Sequence, residues 1–191
     1  MITFRPLTPE NMEQVRLWRN LAPETLRTPF LLTAEQQQQY YRDVICDRRS
    51  TTRYWGFWDT EIEYDYKEYR VHDMIPSPKG QKNMFVGYGG LENIQWENRL
   101  AEISILIGPE FRGQGYGAEA VEAILRRGFC ELNLENIWGE CYYCSPAPAF
   151  WKRLVERFHG TWVDSPGPRK FWDGKYHKSV MFNFYRGRMY A

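Results

Sequence analysis

The sequence predicts an α/β fold whose sheet mixes antiparallel hairpins with helical crossovers. Three observations carry that expectation. Short runs of alternating apolar residues recur along the chain, as half-buried strands require. Other segments, Met12 to Trp18 and 115–132 among them, place their apolar residues at helical spacing instead. The two types follow in the order β-α-α-β-β-β-α-β-α-β-β, without repeat, low-complexity tract or linker. Residues 1–191 therefore read as a single domain.

The first strand runs from Ile2 to Leu7, where Ile2 and Phe4 alternate with polar positions. Thr8-Pro9 then supplies an N-cap and a first-turn proline. Met12, Val15 and Trp18 keep helical spacing to about Asn20. Thr33-Ala34-Glu35-Gln36 has capping-box form and starts a second helix, whose apolar face is Tyr40, Tyr41, Val44 and Ile45. Strands are expected over Arg53 to Trp58, Met84 to Leu91 and Ala101 to Ile107. The first two are separated by an insertion at about 59–83, longer than an ordinary hairpin loop. Val121, Ile124, Leu125, Phe129 and Leu132 form the buried stripe of the helix from Gly115 to Leu132. A strand over Asn136 to Tyr143 follows. Ser145-Pro146 opens a helix through about Phe158, and Gly160 to Arg186 forms a hairpin turning at Asp173-Gly174.

Composition narrows the function classes. Lys plus Arg (25) nearly cancels Asp plus Glu (24), which argues against a nucleic-acid-coating protein. No apolar run approaches the length of about 20 residues that a spanning helix needs, and the first residues lack a secretory signal. The 4 cysteines are too few for a disulfide scaffold. A cytoplasmic protein is the expectation. Cys141 and Cys144 have C-x-x-C spacing, but no second pair exists and on a strand they would face opposite ways, so no metal is expected. Aromatic residues reach 17%, enough to line a pocket as well as a core.

The segment Ile103 to Ala118 carries the chemistry. A strand enters a short turn containing Pro109, and Arg112-Gly113-Gln114-Gly115-Tyr116-Gly117 then opens a helix. Glycine lets backbone approach a ligand closely. The free N–H groups of a first helical turn, with the helix dipole, favour an anion such as pyrophosphate. No Gly-Lys-Ser/Thr follows, so this is not a P-loop. Gly113, Gly115 and Ala118 match G-x-G-x-x-A, with Glu135 further on, but five residues separate strand from glycines, too many for a dinucleotide turn.

Arg112, Gly115 and Gly117 also match R/Q-x-x-G-x-G/A, and here the chain resembles the GNAT superfamily of acetyl-CoA-dependent N-acetyltransferases. Trp18-Arg19-Asn20 and Phe171-Trp172-Asp173-Gly174-Lys175-Tyr176 resemble the branch holding ribosomal-protein N-terminal and amino-sugar acetyltransferases. The resemblance implies a central, mostly antiparallel sheet flanked by helices. It also implies acetyl (or short acyl) transfer from acyl-CoA to a primary amine by direct attack in a ternary complex. The pantetheine arm would lie along Ile105, Leu106 and Ile107, with the pyrophosphate on the amides of Gly113, Gln114, Gly115, Tyr116, Gly117 and Ala118. The amide of Leu106 or Ile107 would meet the oxyanion.

An amine acceptor must lose a proton, which calls for a base. By the resemblance, Glu140 or Glu102 holds that role, with Glu92 a third candidate. The family often places Asn at the start of the last helix and Tyr seven residues on. This chain instead has Ser145 with Lys152, or in the neighbouring register Cys144 with Trp151. Ser145 and Trp151 are expected to touch CoA, while Tyr142 or Tyr143 would have to replace the missing phenol.

Two charged segments bear on the acceptor. The insertion that begins at Asp59 carries six acidic residues, Asp59 included, with Tyr64, Tyr66 and Tyr69, which would suit a cationic amine. The stretch Arg169 to Arg188 carries six Lys/Arg against Asp173, suited to CoA phosphates or a nucleotide-linked acceptor. A monomer or homodimer is expected, and neither a membrane nor a nucleic-acid partner. Two rival readings remain, a CoA-binding module without catalysis and an NAD-type oxidoreductase.

Overall fold

The computed structural model describes residues 2–27, 30–64 and 78–189, of which 61–64 and 78–82 as backbone. A seven-stranded sheet has the order β1-β2-β3-β4-β5-β7-β6. Its strands are β1 Ile2–Arg5, β2 Arg53–Tyr64, β3 Pro78–Gln95, β4 Leu100–Ile107, β5 Asn136–Tyr142, β6 Thr161–Trp172 and β7 Lys175–Tyr185. Every neighbouring pair is antiparallel except β4 and β5. A parallel pair requires a crossover, and helix α3, Tyr116–Arg126, supplies it.

The helix starts follow local chemistry. In α1, Pro9–Asn20, Thr8 and Asn11 cap each other reciprocally, and in α2, Ala34–Tyr40, Thr33 and Gln36 do the same. Wider turns at Tyr41–Ile45 and Arg127–Glu131 extend α2 and α3. Helix α4 spans Ala147–Arg157, and a last turn, α5, spans Arg186–Met189. Asp173 and Gly174 both have positive φ (48° and 69°), the geometry of a two-residue turn matched to strand twist.

One boundary expectation fails. The strands expected to stop at Trp58 and to resume at Met84 instead stay paired out to Tyr64 and Pro78. The sequence hid this, because the stretch carries no alternating apolar pattern, and backbone pairing between strands does not require one. Residues 65–77, which hold most of the expected acceptor loop, lie outside the described residues.

Two cores flank the sheet. Val121, Ile124, Leu125, Phe129 and Ile137 centre the larger one, under α3 and α4. Leu7, Met12, Val15, Trp18 and Tyr88 form the smaller one, under α1. Helices α1 and α2 leave one face of β5, β7 and β6 uncovered, and Met181 there is 40% exposed.

Candidate active site

The strands β4 and β5 pair only over Leu100↔Asn136, Ala101↔Ile137 and Glu102↔Trp138, then part. Beyond Glu102 the free edge of β4 faces a cleft. Which residues use that edge follows from the alternation of an antiparallel ladder. Gly108 donates to Val86 of β3, so the even-numbered residues turn toward β3. The carbonyl of Arg99 accepts from Asn136 of β5, so odd-numbered residues turn toward the cleft. Ile105 and Ile107 therefore present N–H and C=O to the cleft. Leu106 points its backbone at β3, which removes it as an oxyanion donor and leaves Ile107.

The glycine loop lies at the end of this edge. Gly113 and Gly115 have φ of 76° and 91°, left-handed values that an L side chain adopts only under strain. The amides of Gly113, Gln114, Gly115 and Gly117 have no acceptor among the described residues, whereas the Ala118 amide donates to Gly115 O at 3.0 Å. Ala118 is thus not one of the free donors expected from the sequence. Side chains brace the loop instead of entering it. Arg112 Nε donates to Ile107 O (3.3 Å), Gln114 Nε2 to Glu110 O (2.9 Å), and Tyr116 Oη to Asp59 (2.8 Å).

Between β4, β5 and α4 lies a cavity of about 370 Å³. Ser145 and Trp151 line one end. The Ser145 hydroxyl donates to Tyr142 O and accepts from the Ala147 amide, so it caps α4, while Trp151 stacks on Phe182 at 4.4 Å. Arg19, Tyr40, Tyr54, Tyr88 and Glu92 line the other end. The carboxylates Glu102 and Glu140 stand between.

The three candidate bases differ in their partners. Glu102 is 4% exposed and doubly bound, to Arg27 at 2.5 Å and to Asn93 at 2.9 Å. Glu140 accepts from Ser179 at 2.6 Å, with Arg169 at 3.6 Å and Arg27 at 3.9 Å. Among the described residues the one side-chain hydrogen bond to Glu92 comes from the hydroxyl of Tyr54, at 2.8 Å. Burial raises the pKa of Glu92 and the nearby Glu102 charge adds to it, while the Tyr54 bond and the charges of Arg27 and Arg19 offset part of the rise.

The phenols divide as clearly. Tyr142 is buried in the cleft, and its pKa is raised by burial although Arg27 donates to it. Tyr143 points outward and donates to Asp164 at 2.5 Å. Lys152, on the register expected to carry a phenol, is exposed. Cys141 faces the core, where burial pushes its thiol up to about 12, and Cys144 donates to Glu24 O. Among the described residues no group of three His, Cys, Asp or Glu is placed to hold a metal ion.

Arg27 was invisible to sequence reasoning. It follows a short 3-10 turn, Pro23–Thr25, and reaches into the cleft from the far side of α1. Lys170, expected as part of a basic surface, is 5% exposed and holds this turn. Its ammonium donates to the carbonyls of Glu24 (2.7 Å), Pro23 (3.4 Å) and Leu26, and stands over the Tyr142 ring. A strand lysine carries no sequence mark of such a role. Among the described residues no helix is long and apolar enough to cross a membrane.

Comparison with known proteins agrees with this geometry. The family described as "Acetyltransferase (GNAT) domain" matches residues 1–143. The chain is 31% identical over 129 residues to the uncharacterized N-acetyltransferase p20 of Bacillus licheniformis, covering 60% of this chain and 71% of that protein. Among solved structures, the spermidine N-acetyltransferase SpeG of Vibrio cholerae, in complex with CoA and spermine, superposes with a TM-score of 0.67 at 17% identity. That match covers 100% of this chain and 98% of the other. Mutant forms of the same spermidine/spermine N-acetyltransferase give 0.67 at 18% identity, over 99% and 96% of the two chains. With the split β4–β5 pair and the glycine loop in place, the chain belongs to the GNAT acetyltransferases, which take the acetyl group from acetyl-CoA to an amine.

Proposed function

We propose that this chain acylates the primary amine of a small molecule or a peptide N-terminus, with Glu92 as the base. The observation that carries the reading is the separation of tasks within one cleft. The free edge of β4 and the loop amides are backbone donors suited to the acyl-CoA, and Glu92 is the one candidate carboxylate with no ion pair among the described residues, feeling Arg27 and Arg19 only from farther off.

The residues assign the steps. Ile105 would pair with the amide groups of the pantetheine arm, as an added strand does. The Ile107 amide would polarise the thioester carbonyl, a contribution that grows as charge develops on oxygen. An alkylamine with a pKa near ~10 is mostly charged at neutral pH, so its proton must leave before attack. Glu92 accepts that proton better than an ordinary glutamate because its pKa is raised toward the working pH. Glu102 and Glu140, bound to arginines, fix the geometry instead. The departing thiolate would take the Tyr142 proton, which fills the place of the phenol missing at Lys152. The resemblance to the ribosomal-protein and amino-sugar branch and the polyamine substrate of the SpeG neighbour both support an amine acceptor.

Thermal unfolding with acetyl-CoA, CoA, NAD and ATP added separately tests the reading. A ligand specific to the native state at 100 times its Kd adds about 2.7 kcal/mol. A rise in Tm with acetyl-CoA and CoA alone is expected, followed by thiol release in an amine screen. No rise with either overturns the reading. A rise without thiol release from any amine would favour a CoA-binding module without catalysis.

A further inference from the structure

Beside the turn that Lys170 holds, the face of β5 and β7 left free by α1 and α2 carries a groove of about 440 Å³ next to the catalytic cleft. Trp138, Glu140 and Tyr142 alternate along β5 and form its floor with Met181, the register partner of Glu140. Arg27 and Arg169 form its rim. Arg27, Glu140 and Tyr142 line both the groove and the cleft, so the two spaces adjoin across these three side chains.

The charge in this groove is not that of a cation site. The carboxylates of Glu102 and Glu140 are already matched by the partners given above. Arg169 approaches Glu140 with Nε at 3.6 Å, and among the described residues its guanidinium makes no hydrogen bond. Its side chain is 57% exposed. A cationic tail entering here would meet two guanidiniums and no unmatched carboxylate. An anion would meet planar donors suited to carboxylate or phosphate.

The register gives the spacing. Glu92, Glu102 and Trp138 are successive partners across β3, β4 and β5. Two strand spacings separate the base from the groove floor by about 10 Å. We propose that the acceptor is a primary amine carrying a carboxylate or phosphate beyond a spacer that reaches from Glu92 to this groove, with the anion held by Arg169 and Arg27. Trp138 and Tyr142 cover the spacer between the two ends. This inference rests on the transferase reading above and names its substrate class.

Matched acceptors test it. Extended triglycine places its amine and carboxylate about 10 Å apart, and triglycinamide lacks only the charge. Glucosamine 6-phosphate and glucosamine form the phosphate pair, and spermidine is the cationic control. With acetyl-CoA saturating, kcat/KM for at least one anionic amine should exceed that of its neutral twin at least tenfold. The pair with the larger ratio identifies the anion. In Arg169→Gln that ratio should fall at least tenfold, and Arg169→Lys should recover part of it. The subsite is overturned if neutral twins or spermidine match the anionic amines, or if Arg169→Gln leaves the ratio unchanged while Tm is kept. Absence of turnover with every probe also overturns it. A retained Tm rise with acetyl-CoA would then leave the transferase reading standing, and loss of that rise would remove both.

Discussion

The two halves of the cleft are made of different material. The CoA half is backbone: a strand edge freed by the splay of β4 and β5, and loop amides held open by two glycines of positive φ. The acceptor half is side chains drawn from β3, β4, β5, β6 and the turn after α1. A backbone site tolerates almost any side chain that preserves its conformation. A side-chain site depends on each partner, so its variants should fail one at a time and in different observables.

The largest effect is expected at Glu92. Glu92→Gln should lower kcat/KM by about 10²–10⁴, the usual contribution of a positioned base. Its pH dependence adds a sharper check. The folded pKa of Glu92 lies above its unfolded value, so the native state loses stability as pH rises through that window. Glu92→Gln removes that burden, and its Tm at neutral pH should hold or rise while activity is lost. In the parent enzyme, kcat/KM should fall on acidification at a pH above the ordinary glutamate range. A normal pH profile with Glu92 intact would move the base elsewhere.

A backbone lesion on the CoA side should be next in size. Gly115→Val forces a β-branched residue to a φ of 91°, at about 1–3 kcal/mol. The KM for acetyl-CoA should rise about tenfold to a hundredfold, with kcat less affected. Nothing within 4 Å would meet the added Cβ, so conformation rather than crowding is being tested. Substitution of an exposed loop side chain such as Gln114→Ala should change KM far less. Equal effects of the two would erase the contrast between the halves.

Lys170 probes the acceptor half at a distance. Lys170→Met leaves three carbonyls of the turn before Arg27 without their donor. A fall of about 1–3 kcal/mol in stability is expected, read as a lower Tm. Loss of Arg27 placement should lower kcat about tenfold while the KM for acetyl-CoA stays near the parent value. An unchanged kcat would show that Arg27 holds its place without the clamp. Tyr142→Phe should have the smallest effect, about tenfold or less in kcat, because a thiolate with a pKa near ~8.5 leaves readily without a donor. A loss limited to poorer leaving groups would sharpen the assignment of the proton donor.

The legibility of the molecule divides along the same line. The N-cap at Thr8, the capping box at Thr33, the stripe on α3 and the Asp173-Gly174 turn could all be read locally, because short-range hydrogen bonds and periodic burial determine them. The ends of β2 and β3 could not, since pairing carried them past the last apolar residues. Tyr142 and Tyr143 are adjacent in sequence and equal in chemistry, yet strand alternation sends one into the cleft and the other to Asp164.

By itself the sequence determined the α/β class and the glycine loop, and the shortlist of three glutamates came with the family resemblance that the loop carries. The first two rest on contacts between residues close along the chain. Tertiary structure alone decided which glutamate has a phenol rather than an arginine for its partner, which amides of β4 face the cleft, and where Arg27, Arg169 and Lys170 gather. Those outcomes depend on the juxtaposition of segments as far apart as Arg27 and Arg169, whose charges interact only once the sheet and the turn after α1 bring them to the same carboxylate.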